Sequence, residues 1–525
     1  MSPRSSSARR PQPEYVTDVP YVRAFEDNLS PVRLRLVCAL NGFAPPPADG
    51  FDYCELGSAH GDTTATLAAA YPRSRFVGVD INPDHIGSAR KMAGEGGLEN
   101  VRFLEADFAD LAGSDLPAFD FITAHGVMSW ISPAKRKALL DFARARLKPG
   151  GLLHVSYNAL PGWAPIEPLR QLIVGRAALA SGNSLEGARQ ALEFAARMSD
   201  LGAEYFTSNP AARAMIEKMT KLGLSYVVHE YMHAHWVPMY FAQVASEMAA
   251  SDLYFVGQLP LYLNYRDLSI PESLAGVFAG VSDRVAFEAL KDFALNEYFR
   301  RDVFVKGRPS RTESITQSYL DGQSFGGPLS GAPIARDAKL PHHSLEFAGP
   351  IFDALLPALA EGAATVSALA RRPEIAPFGL PRTRDAVMRL ALTDTVVPML
   401  EETRARALDA PENALYRVPS AYNRATLRAG LAREAPISLA SSAAGTGVEL
   451  STVEALAVLL VTEVPPASRS AWIRARAESE SFRLTVRGQV VLDKEAKVRV
   501  LTEETRAFYV RRLPKLLELG VLALA

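Results

Sequence analysis

The chain has 525 residues, enough for two to four domains of roughly 150 residues each. Lys plus Arg number 57 and Asp plus Glu 58, so the composition argues against a nucleic-acid partner held by bulk charge. The two cysteines, Cys38 and Cys54, lie in apolar stretches and are predicted to be buried thiols. So few cysteines favour a reducing, cytoplasmic location.

Neither the N-terminus nor any apolar run predicts insertion into a membrane. Residues 1–14 are basic and rich in Ser and Pro, which indicates a disordered tail and not a secretory signal. The longest apolar run, near "VEALAVLLV", is about half as long as a membrane span requires. We therefore expect no membrane span.

Residues 15–164 alternate between strand and helix patterns. Five strands are predicted, at 51–57, 75–80, 101–107, 119–125 and 152–158. The intervening helices begin with helix-start signals, namely Pro83 in one first turn and Ser132 as the N-cap before Pro133 in another. This alternation predicts an α/β fold with a doubly wound, mostly parallel sheet.

The rest of the chain is predicted to be mainly helical. Residues 165–307 contain helices to about 225, a strand at 253–257 and a last edge strand, "RRDVFVKG", at 300–307. Residues 308–345 are rich in Gly, Ser and Pro and are predicted to be a linker. Residues 346–525 have short helices with occasional strands, which predicts a mostly helical, winged-helix-like domain.

The central motif is "ELGSAHG", between the first strand and the first helix. Small residues at Gly57, Ala59 and Gly61 let the backbone approach a ligand closely at the carboxyl end of the sheet. A dinucleotide needs the G-x-G-x-x-G spacing for its pyrophosphate, whereas this turn has E-x-G-x-A-x-G. Glu55 at its head suits a ligand that has an amino group and no phosphate.

Two further acids follow at the ends of the next two strands. Asp80, 25 residues after Glu55, is placed to accept both hydroxyls of a ribose. Asp107 ends the third strand and is placed to accept from an adenine amino group, with Phe108 beside the ring. S-adenosylmethionine carries a ribose, an adenine and an α-amino group, so the three acids predict this cofactor.

These residues carry a family resemblance. "DYCELGSAHG", "FVGVDINP" and "VRFLEADF" resemble the first three motifs of class I S-adenosylmethionine-dependent methyltransferases. "LKPGGLLHVSYNALPGW" and "VVHEYMHAHWVPMYFAQVASEMAASDLYFVG" are similar to the bacterial subfamily that carries a methyltransferase regulatory domain. That subfamily includes lysine methyltransferases acting on outer-membrane proteins. The resemblance covers residues 15–310 well and 340–525 loosely.

The resemblance implies a division of the chain and a set of cofactor contacts. Residues 15–164 would form the Rossmann-like methyltransferase core, and 165–307 a helical cap and regulatory domain that completes the fold. The cofactor contacts would include Ile81, after the second strand, and His125, at the end of the fourth. The sequence departs from the usual first motif at Ala59, where Gly is commoner, and Ala is expected to fit if its φ is negative.

The stretch "HEYMH", His229 to His233, also fits the H-E-x-x-H pattern of zinc proteases. A zinc site needs both histidines on one helix and a third ligand beyond them. Pro238 soon ends the helix, and the first downstream acid, Glu247, lies on a different predicted helix. We therefore expect no metal, and interpret the segment as a lid, a substrate contact or a structural element.

Methyl transfer to an amine needs an aligned, neutral nucleophile in a site without water. Tyr157 and Asn158, at the end of the fifth strand, are predicted to orient the nucleophile by hydrogen bonds. His125 or His229 is predicted to accept or relay its proton. Aromatic faces attract methylated cationic nitrogen, and the side chains predicted to wall this slot are Trp130, Trp163, Tyr231 and Trp236.

The predicted function is N-methylation of protein lysine, on a substrate such as an outer-membrane protein. One alternative is a methyltransferase acting on a small biosynthetic molecule, and another is an S-adenosylmethionine-binding scaffold without turnover. The C-terminal half would bind a partner or form a homodimer. The charge balance argues against DNA as its partner.

Overall fold

The computed structural model describes residues 19, 23–404, 411–433, 436–479, 484–486 and 489–525. The predicted tail, residues 1–14, lies outside these described residues. The predicted α/β architecture is confirmed by a seven-stranded sheet in the order β3-β2-β1-β4-β5-β7-β6. Its strands are β1 (Asp52–Leu56), β2 (Arg75–Asp80), β3 (Val101–Glu105), β4 (Phe119–Ala124), β5 (Leu147–Asn158), β6 (Leu253–Gln258) and β7 (Phe299–Lys306).

Helices cover both faces of this sheet. Those preceding and connecting the first strands are α1 (Pro31–Leu40), α2 (Asp62–Ala70), α3 (Pro83–Glu95) and α4 (Pro133–Arg146). Leu34, Leu67 and Ile86 place α1, α2 and α3 in the apolar core on one face. Leu139 places α4 in the core on the other face. Both Cys38 and Cys54 are buried, as predicted.

The predicted edge strand is not at the edge. β7 is antiparallel, but it pairs with β5 on one side and β6 on the other, so β6 forms the edge. The physical reason is that Val303, Phe304 and Val305 are all buried, so apolar cover is needed on both faces of β7. An edge strand has only one neighbour and commonly exposes part of its side chains.

Five helices follow β5 and form a cap with an apolar core of its own. They are α5 (Glu167–Ala177), α6 (Ser184–Asp200), α7 (Glu204–Ser208), α8 (Pro210–Leu222) and α9 (Leu224–Tyr231). The chain then returns to the sheet through α10 (Phe241–Ala250), α11 (Arg266–Ser269), α12 (Ala275–Phe278) and α13 (Arg284–Leu295). The cap thus stands at the carboxyl end of β5, beside the site that the first three strands predict.

The segment predicted as a linker is structured. It contains α14 (Glu313–Gly322), β8 (Ser324–Gly326), β9 (Asp337–Lys339) and β10 (Ser344–Glu346). Leu320 and Phe325 are buried within it, and Phe347 is buried just after it. These apolar side chains anchor the segment in the core. Its high content of Gly, Ser and Pro hid this pattern in the sequence.

The remaining residues form two groups of elements. In the first, β8 lies between β11 and β12 in a three-stranded sheet. This group comprises α15 (Pro350–Ala360), β11 (Ala364–Thr365), α16 (Val366–Leu369), α17 (Gly379–Ala391) and β12 (Val397–Met399). The second comprises β13 (Tyr416–Arg417), α18 (Ala421–Arg433), β14 (Ile437–Ser441), β15 (Thr446–Leu450), α19 (Thr452–Glu463), α20 (Arg469–Glu478), β16 (Leu484–Val486), β17 (Gln489–Val491), α21 (Lys494–Ala507), α22 (Leu513–Glu518) and β18 (Ala523–Leu524).

The second group contacts the outside of the predicted cofactor-binding half. The hydroxyls of Tyr422 and Thr66 share a hydrogen bond of 2.9 Å between α18 and α2. Gly447 of β15 lies against the ring of Phe25, where an added Cβ would come within 2.8 Å. None of the helices in the described ranges combines the length and apolar character that crossing a bilayer demands.

Candidate active site

A cavity opens where β1, β2, β3 and β4 end, and α4 and α9 close its other side. It brings together residues from the strand ends and from the "HEYMH" stretch. Its lining is Gly57, Ala59, Asp80, Ile81, Ala106, Asp107, Phe108, His125, Gly126, Val127, Trp130, Ile131, Lys135, His229, Glu230 and His233.

The turn after β1 requires glycine at its first position. Gly57 has a φ of +79°, and a Cβ there would lie 2.6 Å from Cγ2 of Val127. The amides of Gly57 and Ser58 both donate to the carbonyl of Val79, at 2.8 and 2.9 Å. The turn is thereby pulled onto β2, and its backbone faces the cavity without a side chain.

Ala59 adopts a conformation that the sequence did not predict. Its φ is +45°, in the left-handed region, so the negative φ under which Ala was expected to fit is not observed. The reason is that its amide donates to Oδ2 of Asp80 at 2.9 Å, which holds the turn in this conformation. A left-handed Ala costs roughly 1–2 kcal/mol, and this charge-assisted bond offsets it.

Asp80 is fixed at the end of β2 by backbone donors. Besides Ala59, the amide of Asn82 donates to its Oδ1 at 2.9 Å, and Nδ1 of His85 lies 3.3 Å from the same oxygen. The carboxylate is 6% exposed and lines the cavity, as does the next residue, Ile81. Each carboxylate oxygen has a second lone pair, so the group keeps acceptor capacity for ribose hydroxyls.

Asp107 follows β3 and borders the cavity opposite Asp80. Its Oδ1 accepts from the amide of Ala109 at 3.1 Å, and Oδ2 lies 2.8 Å from Nζ of Lys135. Partial burial acts to raise its pKa, but the hydrogen bond and charge of Lys135 and the backbone hydrogen bonds of Ala109 and Phe108 together hold the pKa below its usual range. Phe108 also lines the cavity.

Two predicted cofactor contacts point elsewhere. Glu55 faces α2, where the hydroxyl of Thr64 donates to its carboxyl, and burial raises its pKa to about 8. Gly61 begins α2 and packs against Phe103, which an added Cβ would approach to 2.6 Å. Neither lines the cavity. The hydrogen bond from Thr64 to Glu55 and the missing side chain of Gly61 both serve the packing of α2 on the sheet. The contacts of Glu55 and Gly61 with the cofactor stay predictions.

His125 reaches the cavity from the end of β4. Its Nδ1 lies 3.0 Å from Oγ of Ser156, which also accepts from the amide of Gly126 at 2.8 Å. Oε1 of Glu26 lies 3.7 Å from Nε2. Burial, assisted by the charge of Arg301, lowers the pKa of His125 to about 4. The imidazole is therefore neutral and a weak base at physiological pH.

The structure places Tyr157 and Asn158 behind the cavity wall. The hydroxyl of Tyr157 donates to Oδ2 of Asp302 at 2.6 Å, in a fully buried position. The prediction that Tyr157 orients the nucleophile is corrected, because its hydroxyl is already hydrogen-bonded to Asp302 on the neighbouring strand β7. Asn158 is also buried, and its amide lies beside the carboxyl of Glu230, whose pKa it acts to lower.

Three of the four predicted aromatic wall residues form the core of the cap. Trp163 stacks on Tyr298 with ring centroids 4.2 Å apart and meets Trp236 edge-on at 5.1 Å. Tyr231 lies 5.8 Å from Trp163, and all three are buried away from the cavity. Aromatic clusters of this kind stabilise a helical core, so the prediction that they wall the slot is corrected.

Trp130 does line the cavity, and it is joined to the "HEYMH" stretch. Its Nε1 donates to the carbonyl of Glu230 at 3.3 Å. Helix α9 ends at Tyr231, so His229 and His233 do not share one helix, and their ring centroids lie 6.3 Å apart. Within the described ranges no group of His, Cys, Asp and Glu is arranged to hold a metal ion.

Seven lining residues were not predicted as site residues, and three of these have ionisable side chains: Lys135, Glu230 and His233. Glu230 and His233 belong to the stretch that the sequence marked as a lid, but only His229 and Tyr231 were assigned roles. Lys135 lies in the first turn of α4, three residues after the N-cap Ser132. The sequence signal that could have predicted Lys135 was the start of helix α4, which brings its first turn toward the end of β3.

The cavity suits the predicted cofactor at its strand-end side. The side-chain-free backbone of Gly57 allows close approach, and Asp80 and Asp107 present carboxylates on adjacent strands. Ile81 and Phe108 add apolar surface for a base. Nine of the predicted site residues line the cavity, and their roles remain predictions: Gly57, Ala59, Asp80, Ile81, Asp107, Phe108, His125, Trp130 and His229.

Comparison with known families matches two parts of the chain. Residues 54–153 match the family described as "Methyltransferase domain". Residues 224–306 match the one described as "Predicted methyltransferase regulatory domain". The first match contains β1 to β4 and the turn after β1, and the second begins with α9 and ends with β7. The cavity therefore lies between the two matched parts.

Several proteins are similar in sequence or in fold, two of them over nearly the whole chain. An uncharacterized protein of Synechocystis is 30% identical over 509 residues, which is 97% of this chain and 99% of that protein. An uncharacterized protein of Rickettsia prowazekii is 26% identical over 54% of this chain and 51% of its own length. PKMT2 from Rickettsia typhi, solved in complex with AdoHcy, superposes with a TM-score of 0.73 over 95% of this chain and 100% of that chain, at 20% identity. That likeness establishes the fold.

Proposed function

The chain belongs to the family of methyltransferases that carry a methyltransferase regulatory domain, and from this premise we propose that it methylates lysine side chains of a protein. The cofactor is S-adenosyl-L-methionine, which supplies an electrophilic methyl group on a sulfonium. Asp80 holds the ribose and Asp107 the adenine amino group. Gly57, Ala59 and His125 border the remainder.

The observation that carries the lysine assignment is the charge of the cavity's cap side. Trp130, His229, Glu230 and His233 line it. Burial lowers the pKa of His233 to about 4, so this imidazole is neutral at physiological pH. Glu230 adds a carboxyl, and the indole of Trp130 adds an aromatic face, which attracts cations. An ammonium group therefore enters without meeting a fixed positive charge on these groups.

Lys135, the lysine that lines the cavity, is consistent with a cofactor side at the strand ends and a substrate side at the cap. Its ammonium is bound to Asp107 on the cofactor side. The cofactor end is thus a set of paired charges, and the cap end accepts a cation. A lysine chain entering from the cap side, beside His229 and Glu230, would bring its nitrogen toward the strand ends, where the methyl group is expected.

The proposed acceptor is a protein, and an outer-membrane protein is the first candidate because of the sequence resemblance. The enzyme is proposed to act in the cytoplasm, on chains that have not yet been exported. The homodimer and the partner-binding role of residues 346–525 remain predictions.

The test uses tritiated S-adenosylmethionine and detergent-solubilised outer-membrane protein from a Gram-negative bacterium. We expect label in protein and, after acid hydrolysis, in methylated lysine. The matched control is the same protein fraction with its lysines acetylated, which should accept no label. Label in a small-molecule extract alone would assign the enzyme to biosynthesis. Cofactor binding without transfer to either fraction would indicate a scaffold.

A further inference from the structure

Glu230 lines the cavity, but the sequence analysis gave this residue no catalytic or binding role. It lies in the last turn of α9, between Val228 and the C-terminal residue Tyr231, and its side chain is half-buried in the cavity lining. Its carbonyl accepts from Nε1 of Trp130, so the end of α9 is tied to the strand-end side of the cavity. The carboxyl therefore has a fixed place opposite the cofactor side.

The other acids that line the cavity are committed to structural partners. Asp80 accepts from two backbone amides, and Asp107 is paired with Lys135. Glu230 differs, because burial has the largest effect on the pKa of its carboxyl, and the amide of Asn158 and the charge of Lys218 act against it. Lys218 itself lies over the ring of Tyr298, 5.5 Å from its centroid.

Two imidazoles of the cavity, those of His125 and His233, are poorly matched to the task of accepting a proton from lysine. Burial lowers the pKa of both His125 and His233 to about 4. Burial has the opposite effect on the carboxyl of Glu230 and raises its pKa to about 7, against the amide of Asn158 and the charge of Lys218. A general base works best when its pKa lies near the operating pH.

We propose that Glu230 is the catalytic base that accepts the proton of the substrate lysine ammonium. This inference rests on the proposed function and names the residue that prepares its nucleophile. Asn158, beside the carboxyl, is then a positioning residue for Glu230 and not a contact to the amine. His229 and Trp130 border the amine without exchanging protons with it.

The chemistry balances in atoms and charge. The ammonium gives one proton to the Glu230 carboxylate and becomes a neutral amine. The amine nitrogen then forms its new bond to the methyl carbon with its lone pair, as the carbon–sulfur bond breaks and leaves its electron pair on sulfur. The product is a methylammonium ion, and the protonated carboxyl returns its proton to solvent.

The decisive measurement is the pH profile of Glu230→Gln beside that of the wild type, with solubilised outer-membrane protein as acceptor. In the wild type, the rate at saturating cofactor should rise tenfold per pH unit below about 7 and then level off. In the variant, the rate at pH 7 should fall about 100-fold and keep rising with pH, because free amine must come from solution. Glu230→Asp should restore part of the rate.

Two controls separate this role from a structural one. Glu217→Gln changes an exposed carboxyl on α8 of the same cap and should leave the profile as in the wild type. Calorimetric affinity for S-adenosylmethionine should change less than about twofold in Glu230→Gln, since Glu230 lies on the cap side. A lowered rate with an unchanged profile shape would overturn the proposal. So would a profile change in His229→Gln that Glu230→Gln does not show.

A second readout needs neither cofactor nor acceptor. Infrared difference spectra of the ligand-free protein, recorded across pH 5 to 9, should contain a carboxyl band that titrates near pH 7 and is lost in Glu230→Gln. Absence of that difference would contradict the inference. If the wild type labels no lysine while the band is present, the proposed function fails and the titration of Glu230 stands.

Discussion

Two groups of buried charges lie at the sheet, and they are built differently. One is a closed cluster under β7, where Arg300 contacts Asp302 at 2.9 Å and Glu288 at 3.1 Å, and also bonds Asp292. Lys291 completes it, 2.6 Å from Glu288. The other is the cavity, where carboxyl groups at the strand ends and on α9 face open space. The cluster joins α13 to the sheet, and the cavity receives ligands.

The pKa values of two fully buried glutamates express the difference. Burial acts to raise the pKa of Glu288, but Lys291 and Arg300 overcome it and hold the pKa below its usual range. Burial raises the pKa of Glu55 to about 8, and its charged neighbours, Glu26 among them, are carboxyls that act in the same direction. A buried acid with cations around it stays ionised, and one without them binds a proton more readily.

The largest effect is expected from opening the closed cluster. Arg300→Met leaves three buried carboxylates without their common cation, which should lower the free energy of unfolding by about 3–5 kcal/mol. Denaturant unfolding followed by circular dichroism measures the loss. Arg189→Met, which removes an exposed ion pair with Glu186 on α6, is the matched control and should leave the midpoint unchanged. An equal shift in both variants would contradict the comparison.

A milder variant keeps this test informative if Arg300→Met does not fold. Tyr157→Phe removes the 2.6 Å hydrogen bond to Asp302 and should cost about 1–3 kcal/mol. The rate of methyl transfer should stay near that of the wild type, because the hydroxyl faces the cluster. Loss of transfer without loss of stability would restore Tyr157 to the active site.

The next effect concerns the cavity side. Asp80→Ala should weaken binding of S-adenosylmethionine about 10- to 100-fold by calorimetry, since it removes a charged acceptor and frees the turn at Ala59. Asp84→Ala, an exposed acid at the start of α3, is the control. Wild-type affinity in Asp80→Ala would remove the ribose assignment.

The sequence predicted the sheet and the strand-end acids because both follow from local patterns. Hydrophobic runs, helix-start signals and the motif around Gly57 each lie within a few residues. It did not predict which side chains of β5 and the cap face the cavity. Tyr157 and Trp163 were assigned to the site on residue type, and their orientation depends on β7 and on the packing of α9, which are distant in the chain. Glu230 was overlooked because its burial is a tertiary property.

A pH experiment tests the effect of burial without a cation, through Glu55, which lies behind the turn that borders the cavity. Its folded-state pKa of about 8 lies above that of an unfolded chain, so between about pH 4.5 and 8 the native state binds more protons and stability falls as pH rises. Glu55→Gln keeps an acceptor for Thr64 and removes this dependence. Its gain in stability at pH 8.5 should be about 2 kcal/mol or more, and it should vanish near pH 4.5. A gain that is equal at both pH values would show that Glu55 does not titrate as proposed.

The smallest effect concerns the turn that shapes the cavity. Ala59→Gly removes the strain of a left-handed Ala but adds freedom to the unfolded chain, so the net gain in stability should be about 1 kcal/mol or less. Affinity for S-adenosylmethionine should be retained, because the amide still donates to Asp80. Gly57→Ala is the matched opposite, since its Cβ would lie 2.6 Å from the stiff side chain of Val127 and at a φ of +79°. Gly57→Ala should lower the affinity for S-adenosylmethionine at least 10-fold. Comparable affinity in the two variants would mean that the turn tolerates side chains at both positions, and that binding does not depend on close approach of the backbone.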